Sequence, residues 1–166
     1  NSGFMIDLPH ELSGDGYAGN ADGDRLQINL NRHAQGFAKA CAVEYDMPAE
    51  AVSQIGRMNG AVNARGEAHN ASYAAKLAAL DEDYTKLSAA EMKEMTGTDI
   101  YRSGLFLPGA VMLQPALYVR EMVAGLTGRE TSPVSIFEAS PATAFTRQGE
   151  SWQVTTPKAT ITAGRI

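Results

Sequence analysis

Few residues in this chain have the types and spacing that chemistry needs. The three histidines, His10, His33 and His69, share no short spacing of the kind that holds a metal ion. Cys41 has no base near it in sequence and falls at helical spacing among apolar residues, so it reads as packing rather than as a nucleophile. His33, beside the same apolar stripe, reads as a packed, hydrogen-bonded residue. Two loops carry suggestive letters. Gly14-Asp15-Gly16-Tyr17-Ala18-Gly19 spells G-x-G-x-x-G, but a phosphate turn of that kind needs a buried strand before it and a helix opening at its last glycine. Here Pro9-His10-Glu11-Leu12-Ser13 precedes and Asn20-Ala21-Asp22-Gly23 follows, so a solvated loop is the expectation. Asn20, Asp22 and Asp24 alternate as in a calcium loop, yet the sixth position is Arg25 instead of glycine and the closing position is Asn31 instead of glutamate. No carboxylate pair and no Ser-His-Asp order stands out.

Composition narrows the class. At 166 residues, 44% apolar and 20% charged, the chain has one-domain length and ordinary globular make-up. A chain of this length buries roughly 70% of its unfolded surface. The net charge of −5, with the 14 basic residues scattered, argues against nucleic acid, which needs a concentrated cationic face. No run of about 18 apolar residues could span a bilayer. A single cysteine forms no internal disulfide, and a reducing, cytoplasmic setting is expected.

The elements that must position any site follow in order. Phe4-Met5-Ile6 is a short apolar run stopped by Pro9. Asp24 reads as the N-cap of a long helix, with Leu26, Leu30, His33 or Ala34, Phe37, Cys41 and Tyr45 as its buried stripe and Pro48 as its stop. Short strands are expected over 51–56 and 59–64, then a helix with Tyr73, Leu77 and Leu80 inward. Ser88-Ala89-Ala90-Glu91 is a capping box opening a short helix with Met92 and Met95 inward, closed at Gly97. Tyr101 to Leu107, a Pro108-Gly109 turn and Val111 to Leu113 are extended. Pro115 suits a first helical turn, followed by Leu117, Val119, Met122, Val123 and Leu126 on an amphipathic helix. Val134 to Glu138 reads as a strand. Beyond a Pro141 break comes a β-meander through Phe145, Trp152, Val154 and Ile161, whose final strand, Thr160 to Ile166, is expected to be cut in mid-element.

The order of these segments resembles the FAD-dependent oxidoreductases of the D-amino-acid oxidase and glycine oxidase type, in their gamma-glutamylputrescine oxidase-like branch. The resemblance rests on Asn1-Ser2-Gly3, on the Gly104-Leu105-Phe106 strand, the Pro-Gly turn, Gln114-Pro115 with its helix, and Ser140-Pro141-Ala142 with the excursion to Val154-Thr155-Thr156-Pro157. It implies that Asn1, Ser2 and Gly3 are the end of a turn lying against the cofactor. Gly3 would let backbone approach the ligand, and free N–H groups would donate to flavin or phosphate oxygens. It also implies an adenine contact at Ala142, where the family has valine.

The fold class so implied is α+β, a mixed or antiparallel sheet with helices packed on one face, forming the substrate-binding part of a two-domain flavoprotein. Residues 1–23 would link from the FAD domain, 24–135 would form part of the substrate domain, and 136–166 would be a truncated meander of the FAD domain. The whole enzyme would bind FAD and take a hydride from the carbon beside nitrogen in an amine or amino acid. This central segment by itself is expected to be inactive, to retain no FAD, to engage neither nucleic acid nor membrane, and to dimerise through its cut edge strand. The rival reading is a self-contained α+β module that binds a small ligand or a protein without catalysis.

Overall fold

The computed structural model describes residues 3–9, 21–128 and 134–165. The chain divides into two compact units, Asn1–Gly125 and Leu126–Ile166.

In the first unit, strand β1 (Phe4–Met5) is followed by the long helix α1 (Ala21–Glu44), a single tight helical turn at Ala49–Ala51, and strands β2 (Val52–Gln54) and β3 (Arg57–Ala61). Helix α2 (Ala64–Leu80), strand β4 (Thr85–Ser88), helix α3 (Ala89–Thr96), strands β5 (Ser103–Leu107) and β6 (Val111–Leu113), and helix α4 (Pro115–Thr127) complete the order. Two three-stranded antiparallel sheets result, ordered β1-β6-β2 and β3-β5-β4. Met5 lies opposite Val111, Gln54 opposite Val111 from the other side, and Arg57 opposite Leu107. The α+β class with antiparallel sheets is the one expected from sequence.

Local chemistry explains the boundaries of α2 and α3. The Asn63 side chain accepts from Gly66 N at 3.0 Å and opens α2. Its far end closes in a Schellman arrangement: Asp81 takes a left-handed φ of 62°, its N–H reaches Ala78 O, and Glu82 N reaches Leu77 O at 2.9 Å. In α3, Ser88 and Glu91 cap each other as the sequence implies, and Gly97, at φ 75°, ends the helix. Met92 is buried, whereas Met95 is exposed, contrary to its expected inward position. The core gathers Leu8 and Ile28 with Tyr73, Ala74, Leu77 and Leu80 of α2 and Leu105 and Leu107 of β5.

Helix α1 departs from expectation in two ways. It begins at Ala21, so Asp24 is a buried residue of the first turn and not its cap. Part of the expected apolar stripe also faces outward: Leu26, Leu30 and Phe37 are 61%, 55% and 69% exposed, whereas Cys41 is buried as expected. The buried positions are Asp24, Ile28, Gln35, Ala38 and Cys41. Polar side chains turn inward here because they serve backbone groups of neighbouring segments. Gln35 donates to the carbonyls of Met5 and Gly109, both at 2.9 Å, and Asn31 donates to the Asp7 carbonyl at 3.0 Å. A buried carbonyl without a donor costs about 1–3 kcal/mol, comparable to the gain from burying one leucine.

In the second unit, strands β7 (Ala144–Gln148), β8 (Ser151–Thr155) and β9 (Thr160–Ala163) form an antiparallel meander. Gly149, at φ 62°, occupies the first position of the two-residue β7–β8 loop, where a type II′ turn favours glycine. The register puts Phe145, Arg147, Trp152, Val154, Ile161 and Ala163 on one face and threonine, glutamine and serine on the other. Val134 to Glu138 is irregular and not the expected strand. A strand exists only beside a partner, and no described strand lies against this segment. Among the described residues no helix is long and apolar enough to cross a membrane.

Two substitutions separate core from cap. Leu77→Ala, at a fully buried position, should lower unfolding free energy by about 2–5 kcal/mol in denaturant titrations, and Ser88→Ala by about 1 kcal/mol. Hydrogen bonds from the Ser88 side chain and then its backbone hold the Glu91 carboxyl below its ordinary value. A depressed carboxyl contributes stability above its unfolded pKa and loses it as pH falls through the folded one. The stability difference between wild type and Ser88→Ala should therefore shrink at acid pH.

Candidate functional site

Of the residues that the sequence points to, Asn1 and Ser2 lie outside the described residues, as does the Gly14–Gly19 loop. Gly3 stands immediately before β1. Its carbonyl accepts from Leu113 N at 2.5 Å, and a Cβ built on it would fall 1.9 Å from the Leu113 carbonyl and 3.0 Å from Pro115 Cδ. Glycine at this position is therefore required by the chain's own packing against the start of α4. Ala142 belongs to the second unit, exposed, one residue before Thr143, whose N–H and hydroxyl both donate to Thr155 O. Ser140 Oγ donates to Glu138 O in the turn just before it. Gly3 carries no side chain and Ala142 only a methyl. They fall in different units, so each is placed only within its own.

The better-formed feature is one the sequence did not single out. A polar cavity of about 330 Å3 lies in the first unit, within the range of small-ligand sites. Residues Arg32, Gln35, Gly36 and Lys39 come from one side of α1, Asp7 and Leu8 from the segment after β1, and Gln54 from β2. Glu82 and Asp83 follow the α2 Schellman turn, and Pro108 and Gly109 form the β5–β6 turn. The helical spacing of i, i+3, i+4 and i+7 is what brings the four α1 residues to one side. The turn at Asp81 aims Glu82 back towards them.

Arg32 is the hub. Its guanidinium engages Glu82 through two contacts, at 3.2 and 2.5 Å, and reaches Asp7 Oδ2 at 3.4 Å. The hydrogen bond that Arg32 donates to Glu82 raises the Arg32 pKa above its ordinary value, partial burial opposes this, and the charges of Glu82 and Asp7 add to the rise. Asp7 is 4% exposed, and its Oδ1 has no hydrogen-bond partner among the described residues. Gly109 makes room for it, since a Cβ there would fall 1.9 Å from Asp7 Oδ2. Lys39 Nζ donates to Gln54 Oε1 at 2.5 Å, and Gln54 Nε2 to Pro108 O at 3.2 Å.

Two further polar contacts sit in the core. Arg57, buried in β3, donates to Tyr73 OH at 2.7 Å with its guanidinium 5.8 Å from the ring centre, and Tyr73 OH donates to Pro9 O at 2.8 Å. Burial raises the Tyr73 pKa, with Arg57 opposing. Cys41 is buried and hydrogen-bonds Tyr118, whose pKa is pushed up to about 12 by burial first and by Cys41 second. Cysteine as packing is what the sequence implies. His33 and His69 are both exposed, so His33 is not the packed residue expected. Among the described residues no group of three or more His, Cys, Asp or Glu is arranged to hold a metal.

Nothing in the spacing of Asp7, Arg32 and Glu82 announces the cavity, because the three are joined only by tertiary packing. The available signals were indirect: a carboxylate just before Leu8-Pro9, and an arginine on the side of α1 that the apolar pattern left as solvent-facing.

Comparison with known proteins decides the family. The family described as FAD dependent oxidoreductase (DAO) matches residues 7–166, nearly the whole chain. The chain belongs to this FAD-dependent oxidoreductase family. No curated protein sequence matches. Among solved structures, glycine oxidase from Geobacillus kaustophilus is similar over 98% of this chain and 42% of its own, with a TM-score of 0.69 at 12% identity. Glycine oxidase from Bacillus cereus is similar over 81% of this chain and 38% of its own, with a TM-score of 0.68 at 12% identity. L-proline dehydrogenase from P. horikoshii is similar over 99% and 40%, with a TM-score of 0.68 at 12% identity. At such identity the likeness is one of fold. The chain spans about two fifths of the length of these similar proteins.

Proposed function

We propose that this chain is the central, mainly substrate-binding segment of an FAD-dependent oxidoreductase that oxidises an amine or amino acid at the carbon beside nitrogen. The family match over residues 7–166 carries the reading, and the activities of the similar structures, glycine oxidase and L-proline dehydrogenase, supply the substrate class. Residues 1–23 link from the FAD domain, 24–135 belong to the substrate domain, and 136–166 form a meander of the FAD domain. The free, buried Cys41 accords with a reducing, cytoplasmic setting.

When bound, FAD supplies the hydride acceptor. The residues of this chain hold and orient. Asn1, Ser2 and Gly3 would hold the flavin side, with Gly3 fixed by its bond to Leu113. Ala142, presented by the Ser140 turn and the Thr143 anchor on β8, would hold the adenine end. Val134 to Phe137, irregular here, becomes a strand once a neighbouring strand of the flavin domain pairs with it. Taken alone, the chain lacks a flavin and is catalytically inert.

The test uses both forms of the protein. A longer polypeptide that includes the flanking flavin-binding sequence should purify with flavin absorption bands that bleach anaerobically on adding an amine or amino acid. The 166-residue chain should be colourless and inactive. A longer protein without flavin, or flavin bleached by no amine, contradicts the family chemistry; a yellow, active short chain contradicts inertness. The outer edge of β9 pairs with no described strand, and such an edge templates pairing with a second copy. Light scattering of the isolated chain should accordingly report a dimer, and a monomer at high concentration would remove that element.

A further inference from the structure

Residues 3–9 are gripped at every second carbonyl. Gly3 O accepts from Leu113 N at 2.5 Å, Met5 O from Gln35 Nε2 at 2.9 Å, Asp7 O from Asn31 Nδ2 at 3.0 Å and Pro9 O from Tyr73 OH at 2.8 Å. The ladder between β1 and β6 ends at the Met5–Val111 pair, so at Asp7 and Pro9 side chains of α1 and α2 stand in for a neighbouring strand. Gln35 and Asn31 keep step with the segment because four helical residues advance about 6 Å and two extended residues roughly 6.6 Å. Gln27, one turn earlier on α1, donates instead to Asn31 Oδ1 at 2.8 Å, which turns the Asn31 Nδ2 towards Asp7 O. Arg57 does the same for Tyr73: by donating to the hydroxyl oxygen at 2.7 Å it leaves the hydroxyl hydrogen for Pro9 O. Both donors are therefore pre-oriented. Strand β1 needs such help, because it is a two-residue strand at the edge of the β1-β6-β2 sheet, and so short a ladder is marginal by itself.

We propose that Asn31 and Tyr73 are positioning residues for the flavin: by holding Asp7 O and Pro9 O they keep β1 seated on β6, and with it the Gly3 end of the chain. The inference rests on the oxidoreductase reading above, in which that end holds the flavin side. It adds two residues of the substrate-binding part, neither of them touching the cofactor, that set where the flavin side stands relative to that part.

The test uses Asn31→Leu and Tyr73→Phe, which remove the donors with little change of volume, and Ser88→Ala as control, since the Ser88 side chain bonds Glu91 and not residues 3–9. In the 166-residue chain, hydrogen exchange of the Leu113 amide, the donor to Gly3 O, should quicken about tenfold in the two variants, the equivalent of one lost hydrogen bond, and not in the control. In the longer polypeptide that includes the flanking flavin-binding sequence, both variants should bind FAD about fivefold more weakly or worse. At saturating FAD they should also show a shifted flavin reduction potential, which a loss of global stability alone does not produce, while Ser88→Ala keeps both wild-type values. Should Asn31→Leu disturb folding, as circular dichroism would reveal, Tyr73→Phe, which loses a single hydroxyl, decides the matter. Unchanged Leu113 exchange, or wild-type FAD affinity and potential in the variants, would overturn the proposal and leave the oxidoreductase reading in place. A wild-type longer protein that takes up no FAD would overturn that reading and the proposal with it.

Discussion

The buried amide of Gln35 ties this structure together. Lying 5% exposed on the inner side of α1, it gives one hydrogen to Met5 O and the other to Gly109 O. One side chain thus joins the longest helix to β1 and to the β5–β6 turn, segments over 70 residues apart at the extremes. Met5 is already paired with Val111 in the β1–β6 ladder, whereas Gly109 lies in the β5–β6 turn, so the helix side chain adds to the sheet at one end and serves a turn carbonyl at the other. Asn31, one turn earlier, does the same for Asp7 O. These bonds fix the rotation of α1, which in turn brings Arg32 and Lys39 beside Asp7 and Glu82 and creates the cavity.

That constraint also explains which parts of the fold could be read from sequence. Elements specified within a few residues were legible: the Ser88–Glu91 capping box, the Gly97 stop, the Pro115 helix start, and the Tyr73–Leu77–Leu80 stripe all stand where their local chemistry puts them. Helix α1 was legible as a helix but not in its orientation. Its apolar periodicity marks Leu26, Leu30 and Phe37 as the inner face, while the backbone acceptors of distant segments require Asn31 and Gln35 there instead. Hydrophobic pattern loses to hydrogen-bond accounting when the two conflict at a buried carbonyl. Val134 to Glu138 fails for a related reason, since β-branched composition cannot make a strand without a neighbour to pair with.

The candidate site divides the same way. Gly3 and Ala142 were reached through the order of family-like segments, an argument spread along the whole chain in which no single motif is decisive. The family match over 7–166 and the likeness of fold at 12% identity agree with that order. Asp7, Arg32 and Glu82 were beyond sequence reasoning because the Schellman turn at Asp81, the smallness of Gly109 and the rotation of α1 must all be in place before the three meet.

The most direct measurement compares two substitutions on α1 by denaturant unfolding. Gln35→Leu keeps volume and adds apolar surface yet takes the side-chain donor away from the Gly109 carbonyl, so it should destabilise by about 1–3 kcal/mol. Phe37→Gln removes an aromatic residue that is 69% exposed and should leave stability within about 0.5 kcal/mol. A stabilising or neutral Gln35→Leu together with a strongly destabilising Phe37→Gln would show that α1 docks by its apolar stripe, and the account of this fold and its cavity would be wrong.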